Sequence, residues 1–349
     1  MGRRLQYLVC FSLLLMACHE PSAILDPLKD ATQLYYQPDN FPNPSYDFSE
    51  NAVTEEGFKL GKKLFYDGKL SRDGTIACAE CHGQSYAFTH HGHTLSHGID
   101  NAIGNRNAPP IQNTAFMDSF FWDGGVFDLD FFSVAPITNP LEMDEELGNV
   151  LDKLKNTKEY PELFEAAYGS SEITTEGFLK ALSQFMNSLV SANSKYDKYV
   201  RNETGGDFTG SELAGLSVFK TKCASCHAAD LFTDGSYRNN GLQVYDREPD
   251  YGRYNITENE SDKYKFKVPS LRNIGYTAPY MHDGQLLSLK QVLEHYDNGI
   301  YDTENLDSEL KKGEVVGIAL SEDEKLDLLA FLNTLNDPTF ITNPAFAAP

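Results

Sequence analysis

Cys78-Ala79-Glu80-Cys81-His82 and Cys223-Ala224-Ser225-Cys226-His227 are the two stretches that decide this sequence. Each places two thiols three positions apart and follows them at once with an imidazole. On one helical turn, thiols at that spacing reach both vinyl groups of a single porphyrin, and the adjacent histidine turns its ring toward the iron. CxxCH is the attachment signature of a c-type haem. The sequence therefore implies two covalent haems, one on Cys78, Cys81 and His82, the other on Cys223, Cys226 and His227. Zinc-ribbon pairs lie about 15–20 residues apart, much closer than these two. A dithiol redox pair calls for neither a following histidine nor a second copy.

Outward from each motif the pattern repeats. A helix ending near Leu64-Phe65 precedes the first CxxCH, and one ending near Val218-Phe219 precedes the second. Spacing of three and four between apolar residues predicts helices from Thr54 to Gly68, over about 144–155, 159–168 and 174–200, from Thr209 to Lys222, and over about 288–297 and 321–335. Thr209-x-x-Glu212 and Ser321-x-x-Glu324 are capping boxes that open two of them. Residues 71–140 and 230–270 are rich in loop-forming residues, and no strand alternation of any length is present. The expected fold is mainly α: two cytochrome-c-like haem domains with long irregular loops. They span 54–205 and 206–349, with the boundary at Gly205-Gly206.

The chain of 349 residues carries a formal charge of −22. Without clustered cations it cannot follow a nucleic-acid backbone, and it would attract a basic partner. An aromatic content of 12% excludes a disordered chain. Arg3 and Arg4, then the apolar run Leu5–Ala17 and the sequence Leu15-Met16-Ala17-Cys18, resemble a bacterial lipoprotein signal. On that reading 1–17 is removed and Cys18 carries the lipid; an ordinary cleaved signal peptide is the alternative. Either way the chain is exported, and the expected location is the periplasm or outer membrane, lipid-anchored. Residues 18–53 read as a tether or arm. No other stretch reaches 18 apolar residues, so the lipid is the expected membrane attachment.

Further motifs are ordered along the chain: Arg106-Asn107-Ala108-Pro109, Phe121-Trp122-Asp123-Gly124, Asn139-Pro140-Leu141-Glu142-Met143, Val268-Pro269-Ser270-Leu271-Arg272-Asn273 and Ala278-Pro279-Tyr280-Met281-His282-Asp283-Gly284. With the two CxxCH motifs, this order resembles the bacterial di-haem cytochrome c peroxidase family, including its MauG branch, over roughly residues 54–335. The resemblance implies a peroxide-binding N-terminal haem, a C-terminal haem that passes electrons on, and a calcium ion between them. It implies Glu142 as the acid/base above the first haem and Trp122 as the aromatic between the haems. It implies Asn107, Thr277 and Pro279 as calcium ligands, the last two through carbonyl oxygens. In conventional peroxidases the sixth ligand of the second haem is a Met fourteen residues after the histidine of the HDG motif. Here that position is Tyr296, the MauG-like pattern; Met281 and His295 are the rivals. The chain departs from the family in having Phe132 at the position of a distal Gln, and Thr221 at the position of the Trp through which MauG oxidises its protein substrate. It has only His97 near the position of a removable histidine ligand.

The residues also have ordinary readings. Glu142 suits a helix entry beside Glu145 and Glu146. Trp122 suits a core within Phe120-Phe121-Trp122, and Tyr296 suits a packed helix. The tract His90-His91-Gly92-His93 with His97 is a transition-metal candidate or a solvated loop. Arg72, Arg106, Arg253 and Arg272 are candidates for haem propionates. The leading expectation is a di-haem peroxidase that reduces hydrogen peroxide to water, with electrons from a small redox protein entering through the C-terminal haem. The alternatives are a MauG-like oxidase acting on a protein or small molecule, and a non-catalytic electron carrier. An oligomer is compatible with the sequence.

Overall fold

The structure is a computed structural model that describes residues 34–244 and 249–349. The signal segment, Cys18 and the start of the 18–53 arm lie outside the described residues. In chain order the helices are α1 (Glu55–Phe65), α2 (Cys78–Cys81), α3 (Leu129–Phe132), α4 (Val134–Thr138), α5 (Leu147–Lys155), α6 (Glu159–Tyr168), α7 (Thr175–Ser188), α8 (Lys195–Val200), α9 (Gly210–Lys222), α10 (Tyr254–Thr257), α11 (Leu289–Glu294), α12 (Glu322–Asn333) and α13 (Pro338–Ile341). Among the described residues the strands are two-residue pairs: β1 (Tyr237–Arg238) antiparallel to β2 (Phe266–Lys267), and β3 (Lys311–Lys312) antiparallel to β4 (Val315–Val316). The fold is mainly helical with little sheet, as the periodicity predicts.

Local chemistry sets the helix ends. Thr54 caps α1 by accepting from the Gly57 N–H, with Glu55 and Glu56 in the first turn and Lys62 and Lys63 in the last, each on the favourable end of the helix dipole. Both expected capping boxes form, on α9 and α12. The single helix expected over 174–200 is two. Leu189 leaves helical geometry after α7, and Ser194 with Asp197 builds a third capping box that starts α8. The helix expected over 288–297 also changes character, because α11 widens after Glu294 into a π-helical turn, His295–Gly299.

Two helix crossings organise the molecule, α1 on α7 and α9 on α12. Both close at a glycine. A Cβ on Gly61 would lie 1.9 Å from the Ala181 carbonyl oxygen, and one on Gly215 would lie 1.9 Å from that of Asp327. Each crossing underlies an apolar cluster. The first includes Phe58, Leu64, Phe65, Phe88, Leu182 and Phe185; the second includes Leu216, Phe219, Phe232, Leu328 and Phe331. The C-terminal segment returns to the first cluster, where Phe340 and Phe346 pack, and the Tyr66 hydroxyl donates to the Phe346 carbonyl at 2.8 Å.

Between the clusters lies a buried polar joint. Arg272 donates to both carboxylate oxygens of Asp197 at 2.9 Å, with the side chains 1% and 0% exposed. Its Nε donates to the Asp230 carbonyl at 2.7 Å. Asn273 donates to Ser191 Oγ at 2.8 Å and accepts the Asp337 N–H at 2.7 Å. Buried polar groups satisfied in this way fix one register between the surfaces they join.

Candidate active site

Helix α2 carries the first CxxCH over a cavity of about 530 Å³. Cys78, Cys81 and His82 line one side. Glu142, His97 and Phe132 also line it, and Phe65, Ile111, Pro136, Met143, Leu182 and Met186 make it apolar. The four motif thiols are free and half-buried. Burial pushes Cys78 up to about 12 and Cys81 up to about 11, so both are neutral thiols. His82 Nδ1 lies 2.8 Å from the Phe88 carbonyl oxygen. A carbonyl only accepts, so Nδ1 carries the proton and Nε2 keeps its lone pair. Burial drives His82 down to about 4, against the pull of that carbonyl, which keeps the ring neutral.

The second motif repeats this arrangement. His227 Nδ1 faces the Phe232 carbonyl at 3.1 Å, and burial again lowers the ring's pKa. Phe88 and Phe232 both hold positive φ, 59° and 54°, which aims each carbonyl back at its histidine. Adjacent free thiols, a neutral histidine with Nε2 open and an apolar cavity fit a covalently attached haem.

Opposite His82, the geometry brings Glu142 and the weak candidate His97 into one space. Glu142 Oε1 accepts from Asn139 Nδ2 at 2.7 Å. Burial raises the Glu142 pKa, and the Asn139 hydrogen bond opposes the rise. Gly98 lets the 96–104 loop press onto this segment: a Cβ there would lie 2.1 Å from the Leu141 carbonyl oxygen, and the Ile99 N–H donates to the Glu142 carbonyl at 2.8 Å. Phe132 stacks on Phe121 with centroids 4.7 Å apart. His90, His93 and His97 cluster with ring centroids 4.5–6.0 Å apart, yet among the described residues no three His, Cys, Asp or Glu side chains are arranged to hold a metal ion.

Trp122 sits between the two halves. Its indole N–H donates to the Asn107 carbonyl at 2.8 Å, and its own carbonyl accepts the Lys267 N–H at 2.7 Å. The Asn107 N–H in turn donates to the His282 carbonyl at 2.7 Å, which places Asn107 against the 277–284 stretch. Thr277 is buried there, followed by a cis Ala278-Pro279 peptide. The four arginines are engaged within the protein: Arg106 with Asp123 and Asp250, Arg272 with Asp197, Arg72 with Asp100 and Asp144, and Arg253 with the Asp123 and Gly124 carbonyls.

On the far side of the second motif, Tyr296 lies on the π-helical turn, near Cys223 and Cys226. Burial pushes its phenol up to about 12, opposed by a hydrogen bond from the Asn240 side chain. Asn240 Nδ2 also donates to the Met281 sulfur at 3.3 Å. His295 Nε2 donates to the Asn240 carbonyl at 3.0 Å, which removes it from competition as a ligand. Asn139 and Asn240 are the functional neighbours that sequence reasoning missed. Asn139 stands within the Asn-Pro-Leu-Glu-Met motif, a usable signal; Asn240 has none.

Residues 55–205 match the family described as di-haem cytochrome c peroxidase. The methylamine utilization protein MauG of Methylorubrum extorquens is 35% identical over 320 residues, 89% of this chain and 86% of that protein. The cytochrome c551 peroxidase of Nitrosomonas europaea is 36% identical over 249 residues, 70% and 74% of the two chains. A solved MauG-like protein associated with microbial copper homeostasis superposes with a TM-score of 0.81 at 33% identity, over 90% of this chain and 98% of that one. The chain belongs to the di-haem cytochrome c peroxidase and MauG family, oxidoreductases that carry two c-type haems.

Proposed function

We propose that this oxidoreductase reduces hydrogen peroxide to two waters, taking two protons and two electrons per turnover. Electrons from a small redox protein enter at the second CxxCH site and pass to the first. The observation that carries the reading is the shared cavity of His82 and Glu142. Cys78 and Cys81 would bond the first haem and His82 Nε2 would hold its iron; Cys223, Cys226 and His227 would do the same for the second, with Tyr296 on its far side. When bound, the haems supply the binding of peroxide and the storage of electrons.

The chain's own residues supply the rest. Glu142 accepts a proton from one peroxide oxygen and returns it to the other, the departing one. A carboxylate suits both halves of that transfer when its pKa lies nearer the working pH, and burial raises it in that direction. Asn139 holds Oε1 in place. Phe132 and Pro136 form an apolar wall that keeps bulk water from Glu142. Trp122 bridges the two halves as an oxidisable indole. Asn107, with the Thr277 and Pro279 carbonyls, is assigned to calcium. Cys18 anchors the enzyme by lipid at the periplasmic face or outer membrane.

A second reading has its own observation. Tyr296 on the far side of the second site is the MauG-like feature and favours an oxidase acting on a protein or small molecule. Against it, Thr221 is exposed and bonds only its own helix, through Ser217 and Val218. Peroxide consumption by membrane and soluble cell fractions, with and without reduced small c-type cytochromes, tests the proposal. Donor-dependent turnover at two electrons per peroxide in the membrane fraction is expected. Peroxide loss that ignores every donor would favour the oxidase.

A further inference from the structure

The loop after β1 places one side chain between two rival ligands. The Asn240 carboxamide oxygen accepts the Leu242 N–H at 3.3 Å. That contact fixes which way the amide faces, because only its oxygen accepts. Its two N–H groups are then left for Met281 and Tyr296: Nδ2 reaches the Met281 sulfur at 3.3 Å, and the same side chain hydrogen-bonds the Tyr296 phenol oxygen. The backbone of Asn240 is tied down separately by His295 Nε2 at 3.0 Å. Both candidate sixth ligands of the second haem therefore meet one rigidly held amide.

The geometry points to Asn240 as the positioning residue that selects Tyr296 over Met281 as that ligand, by donating to the phenol oxygen and tethering the sulfur away from the iron. This rests on the reading of Tyr296 as the sixth ligand. A donor to the ligating oxygen stabilises the charge that oxygen carries toward iron. A thioether bonded to the amide has its lone pair engaged, and Met281 stands in a backbone conformation, φ 76°, that leaves it little freedom to swing. Loss of the amide weakens one ligand and frees the other. The two effects act in the same direction.

The test uses the matured di-haem protein. Wild type should lack a thioether–iron charge-transfer band. Asn240→Leu should show that band at the second haem and a raised second potential, since thioether ligation favours ferrous iron. The double variant Asn240→Leu/Met281→Leu should lose the band again. If Asn240→Leu does not mature, Asn240→Asp keeps the oxygen for Leu242 and removes both donors, with the same expectation. Tyr296→Phe separates the two layers. If Tyr296→Phe changes the spectrum while the Asn240 variants match wild type in band and potential, Asn240 selects nothing and the proposal fails alone. If Tyr296→Phe matches wild type, or wild type already shows the band, Tyr296 is not the ligand and the underlying reading fails with it.

Discussion

The two CxxCH sites are alike on one side and different on the other. On the attachment side, each motif follows a helix that closes on its partner through a glycine, Gly61 or Gly215. Each motif histidine gives its Nδ1 proton to a phenylalanine carbonyl, Phe88 or Phe232. Across from the histidine the likeness ends. The first site presents a carboxylate, Glu142, in an apolar cavity. The second presents a phenol, a thioether and the amide that touches both. The lesson is that the repeated side holds the cofactor and the diverged side sets its task. A carboxylate that cannot displace water from iron leaves a place for peroxide; a phenol or thioether closes that place.

The largest expected effect breaks the comparison at its sharpest difference. Glu142→Gln preserves shape and the Asn139 contact but removes the base. The peroxide step, followed by stopped-flow absorbance, should slow by about 10²–10⁴, the usual contribution of a general acid–base group. The spectrum of the second site should not change. An unaltered rate with both haems attached would return Glu142 to the status of a helix-entry carboxylate.

The next effect concerns what joins the two sites. Burial by itself would push the Asp197 carboxyl up, but the Arg272 guanidinium and the Ser194 and Asn40 hydrogen bonds outweigh it and hold it below the usual carboxylate range. Asp197→Asn would strand the Arg272 charge in the interior, at a cost of about 3–5 kcal/mol. The sign of the pH dependence follows. A carboxyl depressed in the folded state stabilises the protein above its unfolded value of about 3.9. That contribution disappears as pH falls through the lower folded value. The gap between wild type and Asp197→Asn in denaturant melts should therefore be constant near neutrality and shrink only below about pH 4. A gap under about 1 kcal/mol, or one that shrinks already at pH 6, would mean the joint does not couple the halves through this pair.

The likeness of the sites was legible in the sequence, and most of the difference was not. CxxCH is a contiguous signal, so both attachment sides can be read from spacing, and the capping boxes on α9 and α12 are equally local. Glu142 and Trp122 were legible only through the ordered motifs around them, because nothing in a lone carboxylate or indole declares what it faces. The break between α7 and α8 was hidden because apolar spacing runs on through Leu189 and Val190. Its cause is Asp197, which is drawn to an arginine 75 residues away. Arg106 and Arg272 looked suited to propionates for the same reason that they pair with Asp250 and Asp197: a guanidinium fits any carboxylate. Asn240 was invisible because its partners, Met281 and Tyr296, lie 41 and 56 positions further along the chain.

The smallest effect sharpens the first site alone. Phe132 lines the cavity with Glu142 and stacks on Phe121 at 4.7 Å, at the position where the family resemblance places a glutamine. Phe132→Gln removes an aromatic pair worth about 0.5–1.5 kcal/mol, which a thermal melt should register as a small loss. It also brings an amide donor to the side of the cavity that Glu142 serves. A neutral hydrogen bond is worth about 0.5–1.5 kcal/mol, so the peroxide step should accelerate by no more than about tenfold, with the second site's spectrum and potential unmoved. A slower peroxide step would show that the apolar wall matters more than the missing donor. In that case Phe132 works by keeping Glu142 dry, and its replacement of glutamine is an adjustment of the carboxyl's environment. A change at the second site would be more damaging, because it would mean that the two far sides are not independent and that the division of tasks between them is drawn in the wrong place.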